Sequence, residues 1–329
     1  MIYPEKLKQY TDQKQIPESV SRHMLEFYEE YAKTVERKGD SISNHELLFD
    51  VYLELVRDQC LRPFKFDHFH RQLRAPMDYH QFGIEFIRPL LYYPKCKIYG
   101  LEIFDQIEQQ ISKGENVVFL ANHQIEADPQ VIKLLLERTH PDLGENMIFV
   151  AGERVITDPV AVPFSLGCNL LCIYSKRYID TPPEQHHEKQ IHNQKTMKKM
   201  SELLGEGGKA IYVAPSGGRD RPDAHGAVQI AEFDAPSIEM FYLMAKRSKR
   251  PTHFYPLAMK TYDLLPPPQD IQSELGERRQ IKGGNVSMAV APQIDMETFP
   301  GSDTKDKHAR RKIRADYIQS LVKEAYATL

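Results

Sequence analysis

The 329-residue sequence has few cysteines and no long apolar run, and each of these features argues against a class of protein. Its four cysteines are irregularly spaced, unlike those of a secreted, disulfide-linked domain. No uncharged apolar stretch approaches the roughly 18–20 residues that a membrane-spanning helix needs. The N-terminus has the pattern of neither a signal peptide nor an Arg- and Ser-rich transit peptide. We therefore expect a soluble protein that meets any lipid from the aqueous side.

An excess of charge of one sign is also missing. The net charge of −3 excludes a nucleic-acid binder that works by bulk positive charge, so we expect no nucleic-acid partner. One basic run near the C-terminus is typical of an exposed helix, and contact with an acidic protein or an anionic lipid is the alternative. This run comprises Lys305, Lys307, His308, Arg310, Arg311, Lys312 and Arg314.

The pattern of the sequence changes near residue 90. Before that point helical periods dominate, as in the apolar stripe from Val20 to Val35, and strand signals are absent. Residues 1–17 are polar and irregular, and a capping-box pattern at Ser43 and Glu46 begins a further helix. These features predict a small N-terminal helical bundle over residues 1–90.

From residue 91 to 329, short apolar runs alternate with helical patterns. This alternation predicts a larger α/β domain with a mixed central sheet flanked by helices. The predicted strands are Val117–Ala121, Met147–Ala151, Leu170–Tyr174, Ala210–Ala214, Thr252–Met259 and Val286–Ala291. The predicted helices lie near residues 103–112, 129–139, 184–205, 236–248, 268–280 and 305–327.

A first candidate site follows the strand that ends at Ala121. Asp128 and Pro129 suit the start of a helix, so His123 and Asp128 share a tight connection between a strand and a helix. Reactive groups of α/β proteins collect there, and a carboxylate can fix one nitrogen of His123 and leave the other as a proton acceptor. The alternative is an aspartate that only caps the helix, because one His-x4-Asp spacing is common by chance.

A second candidate site follows the strand at 210–214. Two glycines there let the backbone approach a ligand, and Arg219 and Arg221 share one face if the segment is extended. Two neighbouring guanidinium groups can hold a phosphate between them, through paired hydrogen bonds from each. Neutralisation by Asp220, by Asp223 or by a remote carboxylate is the alternative.

A third strand, at 170–174, ends in two further cations, Lys176 and Arg177. A base and a phosphate clamp, without a Ser or Cys nucleophile, fit attack by a hydroxyl group of a phosphorylated small molecule. The sequence has neither a Gly-x-Ser-x-Gly elbow nor a Walker-type loop, which argues against serine-hydrolase and NTPase chemistry. We expect no metal site at the other histidines. His68 and His70 have no carboxylate or cysteine partners at ligand spacing, and a solvated face of a charged helix is the favoured interpretation of His186, His187 and His192.

Four stretches together resemble the soluble, plastid-type glycerol-3-phosphate acyltransferases, which occur in chloroplasts and in chlamydia-like bacteria. The resemblance runs in order from about residue 100 to 295, and the helical N-terminal segment agrees with the family's small helical domain. The His-x4-Asp motif alone marks only the wider glycerolipid acyltransferase superfamily, whereas Pro-Ser-Gly-Gly-Arg-Asp-Arg-Pro-Asp is much more specific. The four stretches are Asn122-His-Gln-Ile-Glu-Ala-Asp-Pro129, Val150-Ala-Gly-Glu-Arg-Val-Ile-Thr-Asp-Pro159, Val213-Ala-Pro-Ser-Gly-Gly-Arg-Asp-Arg-Pro-Asp223 and Tyr255-Pro-Leu-Ala-Met259.

The resemblance implies transfer of a fatty acyl group from acyl carrier protein or coenzyme A to the sn-1 hydroxyl of glycerol 3-phosphate. It implies His123 as the general base and Asp128 as its orienting acid. It also implies that Arg219 and Arg221 bind the substrate phosphate. Because a thioester is already activated, neither a cofactor nor a covalent acyl-enzyme is required.

The resemblance is imperfect in the third cationic stretch. Arg177, next to Lys176, falls where the family commonly has a phosphate-binding lysine, and it keeps the positive charge. Tyr178 falls where plant members have a histidine that helps to hold the phosphate. A tyrosine can donate one hydrogen bond but carries no positive charge, so we expect weaker binding of glycerol 3-phosphate at this contact.

The compartment and the acceptor are not fixed by these residues. The expected location is a bacterial cytoplasm or, for a mature plant form, the plastid stroma, and a peripheral membrane contact is compatible with either. Three alternatives stay open: a different acceptor such as 1-acylglycerol 3-phosphate, a phosphate-ester hydrolase, and a non-enzymatic phosphoglycerol-binding protein. The Gly-Gly-Arg-Asp-Arg run counts against the first, and the lack of a nucleophile or metal cluster counts against the second.

Overall fold

The computed structural model describes residues 2–175, 179–268 and 278–329. In these ranges the helices are α1 Tyr3–Asp12, α2 Glu18–Arg37, α3 Glu46–Leu61, α4 Tyr79–Ile87, α5 Leu101–Ser112, α6 Asp128–Leu136, α7 Pro141–Asn146, α8 Glu153–Thr157, α9 Val162–Ser165, α10 His186–Glu206, α11 Ala235–Arg247 and α12 Lys307–Ala327. The strands are β1 Phe69–His70, β2 Lys97–Tyr99, β3 Asn116–Ala121, β4 Ile148–Gly152, β5 Asn169–Ile173, β6 Ala210–Val213, β7 Arg221–Pro222, β8 Val228–Gln229, β9 Thr252–Lys260 and β10 Ser287–Val290.

Eight of these strands form one sheet in the order β1-β5-β4-β6-β3-β9-β10-β2. Five consecutive strands of this order are parallel to one another: β5, β4, β6, β3 and β9. Strands β10 and β2 are also parallel to each other. The pairs β1–β5 and β9–β10 are antiparallel, and β7 and β8 form a separate hairpin. The mixed central sheet flanked by helices confirms the predicted α/β class. The loop after β3 lies at the carboxyl ends of central parallel strands, where such sheets bind ligands.

Strand β3 is covered on both faces. Successive side chains of a strand point to opposite faces, and here Val117 and Phe119 join one apolar cluster while Val118 and Leu120 join another. Helices α10, α11 and α12 pack in the second cluster. Burial on both faces explains why this strand is a continuous apolar run in the sequence rather than an alternating one. The following loop is therefore held by packing on both sides.

The N-terminal helices share the first of these clusters with the sheet. Tyr3, Phe49 and Phe86 belong to the same buried group as Phe119 and Tyr255. The rings of Phe49 and Phe86 lie 5.1 Å apart between centroids, within the range that favours aromatic pairs. The helical character of this segment is confirmed, whereas a domain boundary at residue 90 stays a prediction.

The six predicted strands are confirmed with ends within one residue. The helices near 103–112, 129–139, 184–205, 236–248 and 305–327 are confirmed with ends within three residues. Residues 269–277 of the remaining predicted helix lie outside the described residues. None of the described helices combines the length and apolarity that a membrane span requires.

Three predictions for the N-terminal segment are wrong. Residues 3–12 are helical, because Tyr3 and Leu7 bury one side of α1 and its first turn accommodates a proline. The capping box does not form: the side chain of Ser41 begins a 3-10 turn by accepting the N–H of Ser43, and α3 starts afterwards. Strand β1, which pairs with β5, contradicts the absence of strands. A strand of two residues is too short to show a period.

Candidate functional site

The loop between β3 and α6 brings His123 and Asp128 together, as predicted. Nδ1 of His123 lies 2.8 Å from Oδ2 of Asp128, which is fully buried. The carboxylate accepts the proton on Nδ1, so Nε2 is the unprotonated nitrogen of the neutral ring. The His123 side chain is 28% exposed, so this nitrogen can meet a substrate proton. The pair has the geometry of an oriented general base.

Asp128 is the first residue of α6 rather than its cap. Its Oδ2 also accepts the N–H groups of Gln124 at 2.9 Å and Ile125 at 3.4 Å, and its Oδ1 accepts the hydroxyl of Thr261 at 2.6 Å. These bonds go to the preceding loop and to the end of β9, not to the first turn of the helix. The predicted capping role is therefore wrong. Every one of these donors holds the carboxylate in place against His123.

The two arginines of the second stretch lie on either side of a buried residue. Arg221 begins the β7–β8 hairpin, and the Arg219 side chain is 13% exposed. Between them, Asp220 is completely buried, so successive residues of this segment face opposite ways, as in an extended chain. Nη1 of Arg219 lies 3.8 Å from Oε1 of Glu126, a carboxylate of the histidine loop. The remote partner considered from the sequence is thus present for Arg219, three residues beyond His123.

Glu126 belongs to a row of alternating charges that the sequence did not reveal. Nε of Arg279 donates to Glu126 at 2.7 Å, and Nη2 of Arg279 donates to Asp158 at 2.9 Å. Although burial opposes ionisation, the positive charges of Arg279 and Arg219 lower the pKa of Glu126. Burial likewise opposes the charge of Arg279, but Glu126 and Asp158 raise its pKa. The network therefore stays ionised at neutral pH and fixes the loop that carries His123.

We expect Arg279→Ala to lower the free energy of unfolding by about 3–5 kcal/mol, because it leaves buried carboxylates without their cation. Urea unfolding at pH 7 measures the loss, with the exposed Arg247→Ala as a control. The pKa of Glu126 is lowered in the fold, so its share of this stability is present above the ordinary pKa of a glutamate and fades below it. An equal loss at pH 7 and at pH 3.5 would contradict the assignment.

The third cationic stretch cannot be placed. Lys176, Arg177 and Tyr178 lie outside the described residues, so their contacts with a substrate stay predictions. Among the residues that the structure does describe, no three His, Cys, Asp or Glu side chains group as metal ligands would. His70 and His192 instead bond to backbone carbonyl oxygens, of Leu166 at 3.2 Å and of Cys172 at 3.0 Å.

Comparison with known proteins places most of the candidate site within one family match. The family model described as Acyltransferase matches residues 102–295, the part of the chain that contains the His123 loop, the arginines and strand β9. Among solved structures, the 1-acyl-sn-glycerophosphate acyltransferase PlsC from Thermotoga maritima covers 76% of this chain and 78% of its own, at 16% identity. The TM-score of this match is 0.42.

Curated relatives extend the likeness to almost the whole chain. A chloroplastic glycerol-3-phosphate acyltransferase from Cucurbita moschata is 39% identical over 311 residues, which are 92% of this chain and 66% of the relative. The enzymes from Arabidopsis thaliana and Spinacia oleracea are 37% and 36% identical, over 96% and 98% of this chain and 69% of each relative. The chain thus spans about two thirds of their length. It belongs to the acyltransferase family and, within it, to the glycerol-3-phosphate acyltransferases.

Proposed function

We propose that the protein transfers a fatty acyl group from a thioester to the sn-1 hydroxyl of glycerol 3-phosphate, which yields lysophosphatidic acid. The observation that carries the proposal is the hydrogen bond between Nδ1 of His123 and the buried carboxylate of Asp128, at 2.8 Å. A base held in this tautomer serves attack by a hydroxyl group. The names of the relatives favour glycerol 3-phosphate over 1-acylglycerol 3-phosphate as the acceptor.

In the proposed reaction, Nε2 of His123 takes the proton of the substrate hydroxyl as its oxygen attacks the thioester carbonyl. The C–O bond forms, the C–S bond breaks, and the proton on the imidazolium passes to the leaving thiolate. Asp128 stabilises the imidazolium between these steps through its charge. General-base assistance of this kind typically contributes about 10²–10⁴-fold in rate.

In this proposal Arg219 and Arg221 bind the substrate phosphate and so place the hydroxyl beside His123. The free energy of binding the phosphate, which lies away from the reacting atoms, thus serves to orient the hydroxyl group. Arg177, Lys176 and Tyr178 are proposed as further phosphate contacts. The 3.8 Å contact between Arg219 and Glu126 keeps one guanidinium close to the histidine loop before substrate binds.

The acyl donor is proposed as acyl carrier protein or coenzyme A. The relatives bear the word chloroplastic in their names, which favours the plastid stroma as the compartment and lends no support to a bacterial cytoplasm. A peripheral membrane contact is a further proposal, since the product is an amphiphile.

The decisive assay follows a mass-tagged acyl thioester in the presence of glycerol 3-phosphate. Formation of lysophosphatidic acid by the wild type, with either donor, supports the proposed function. Binding of glycerol 3-phosphate without any acyl transfer would identify a phosphoglycerol-binding protein instead. Release of inorganic phosphate would identify a hydrolase.

We expect Arg219→Ala and Arg221→Ala each to raise the KM for glycerol 3-phosphate by about 10–100-fold, because a charged hydrogen bond is worth about 1.5–3 kcal/mol. The KM for the acyl thioester and the value of kcat should change far less. Steady-state kinetics with each substrate varied in turn measure both effects, with Arg247→Ala as a matched surface control. Unchanged KM values for glycerol 3-phosphate in both variants would show that the phosphate binds elsewhere.

A further inference from the structure

One buried aspartate joins the loop of the base to the loop of the arginines. Asp220 lies between Arg219 and Arg221 in the chain and has no exposed surface. Its backbone N–H donates to the carbonyl oxygen of His123 at 2.7 Å. The two candidate sites are therefore connected directly at the residue that carries the base.

The carboxylate of Asp220 extends this connection to both neighbours of His123. Its Oδ2 accepts Nδ2 of Asn122 at 2.7 Å and Nε2 of Gln124 at 3.2 Å. Its Oδ1 accepts the N–H of Ala231 at 3.0 Å, beyond the β7–β8 hairpin. Asp220 thus bonds to three consecutive residues of the histidine loop and also closes the segment that carries Arg221.

The two amides that reach Asp220 are themselves fixed to β9 and its end. Asn122 exchanges two hydrogen bonds with the backbone of Met259, at 2.7 Å and 2.9 Å. Oε1 of Gln124 accepts the N–H groups of Thr261 at 2.7 Å and Tyr262 at 2.9 Å. Asp220 is therefore linked through both amides to the end of β9 and to the residues that follow it.

Stability alone does not account for a carboxylate in this place. Burial raises the pKa of Asp220, and the donors at Asn122, Ala231 and Gln124 offset only part of that effect. In residues 2–175, 179–268 and 278–329, no lysine or arginine forms an ion pair with it. A buried carboxylate that lacks a cation costs folding free energy, and such conflicts concentrate at functional sites.

We propose that Asp220 is a positioning residue for the acyl transfer, an inference that rests on the proposed function. It fixes the distance between Arg219 and Arg221, which hold the substrate phosphate, and Nε2 of His123, which removes the proton. It acts through these residues and touches neither substrate. A misplacement of about 1 Å between reacting groups can lower the rate about 100-fold, so the loss of this connection should have a large effect on the rate of acyl transfer.

The test is Asp220→Asn, which keeps the size of the side chain. The new NH₂ group must face either the amide donors of Asn122 and Gln124 or the N–H of Ala231. We expect kcat/KM for glycerol 3-phosphate to fall about 10–100-fold, with a lower kcat and a higher KM. The melting temperature should change by no more than about 3 °C, because removal of a buried charge offsets the lost bonds.

Asp223→Asn is the matched control. Asp223 is an exposed aspartate of the same segment, and its carboxylate accepts the N–H groups of His225 at 2.8 Å and Ala227 at 3.0 Å within its own hairpin. Its kinetics should stay within about twofold of the wild type. A loss of stability in Asp220→Asn, with wild-type kcat and KM at a temperature where it is folded, would reduce Asp220 to a structural residue.

A double-mutant cycle with Arg219→Ala separates positioning from general damage. If Asp220 acts by placing the arginines, Asp220→Asn should cost several-fold less in the Arg219→Ala background than in the wild type. Additive losses would overturn the proposal. If Asp220→Asn does not fold, Gln124→Glu replaces it. This change spares the two backbone bonds to Oε1, removes the amide donor shared by Asp220 and the hydroxyl of Tyr326, and places a second carboxylate beside Asp220. A wild type that forms no lysophosphatidic acid refutes the proposed function, whereas an active wild type with an equally active Asp220→Asn refutes only the inference.

Discussion

His123→Ala is expected to lower kcat for acyl transfer to glycerol 3-phosphate by about 10²–10⁴-fold, the usual contribution of a positioned general base. The hydroxyl group must then lose its proton to water, although the thioester and the phosphate are still bound. The KM for glycerol 3-phosphate should stay close to the wild-type value, because the arginines rather than the imidazole hold this substrate. Single-turnover measurement of lysophosphatidic acid formation isolates the chemical step from product release.

The exposed His187 of α10 supplies the control, and His187→Ala should keep wild-type turnover. A further control addresses folding, since His123→Ala removes one donor from the buried carboxylate of Asp128. Equilibrium binding of glycerol 3-phosphate shows whether the site is intact, and partial recovery of turnover with added imidazole shows that a proton acceptor is what was lost. Turnover within threefold of the wild type would mean that the base is another group.

Much of the fold could be predicted because the relevant signals are local. Val117–Ala121 is a continuous apolar run, and a central parallel strand buried on both faces has this pattern. His123 and Asp128 are five residues apart in one loop, so their spacing already indicated a pair. Strands β1 and β2 escaped prediction because two or three residues cannot establish a period.

The support of the candidate site could not be predicted, because its members are far apart in the chain. Thr261 reaches Asp128 across 133 positions, and Arg279 reaches Glu126 across 153. No periodicity relates such residues. The sheet topology places the ends of β3, β6 and β9 side by side and so brings Thr261 to Asp128, whereas Arg279 lies outside the strands. The sequence suggests Asp220 only as a counterion for its neighbouring arginines, whereas in the fold its carboxylate bonds to the histidine loop.

Asp128→Asn should preserve this geometry and remove only the charge, which makes it the sharper test of the dyad. The N–H groups of Gln124 and Ile125 and the Nδ1–H of His123 all point at the Oδ2 position. The amide oxygen of asparagine therefore takes that position, and its NH₂ group faces the hydroxyl of Thr261, which can turn to accept it. The tautomer of His123 is kept, so any loss of rate reports the missing negative charge.

The expected loss for Asp128→Asn is about 10–10³-fold in kcat, smaller than for His123→Ala. The lower bound follows from replacing a charge-assisted hydrogen bond by a neutral one, a difference of about 1.4 kcal/mol. The upper bound is the attraction between a carboxylate and an imidazolium about 4 Å apart at an effective dielectric constant near 20, about 4 kcal/mol. Stopped-flow kinetics measure this loss of kcat, and the exposed Asp142→Asn serves as the control. A full 10⁴-fold loss would instead indicate that the imidazole ring has turned, because the charge alone cannot account for an effect of that size.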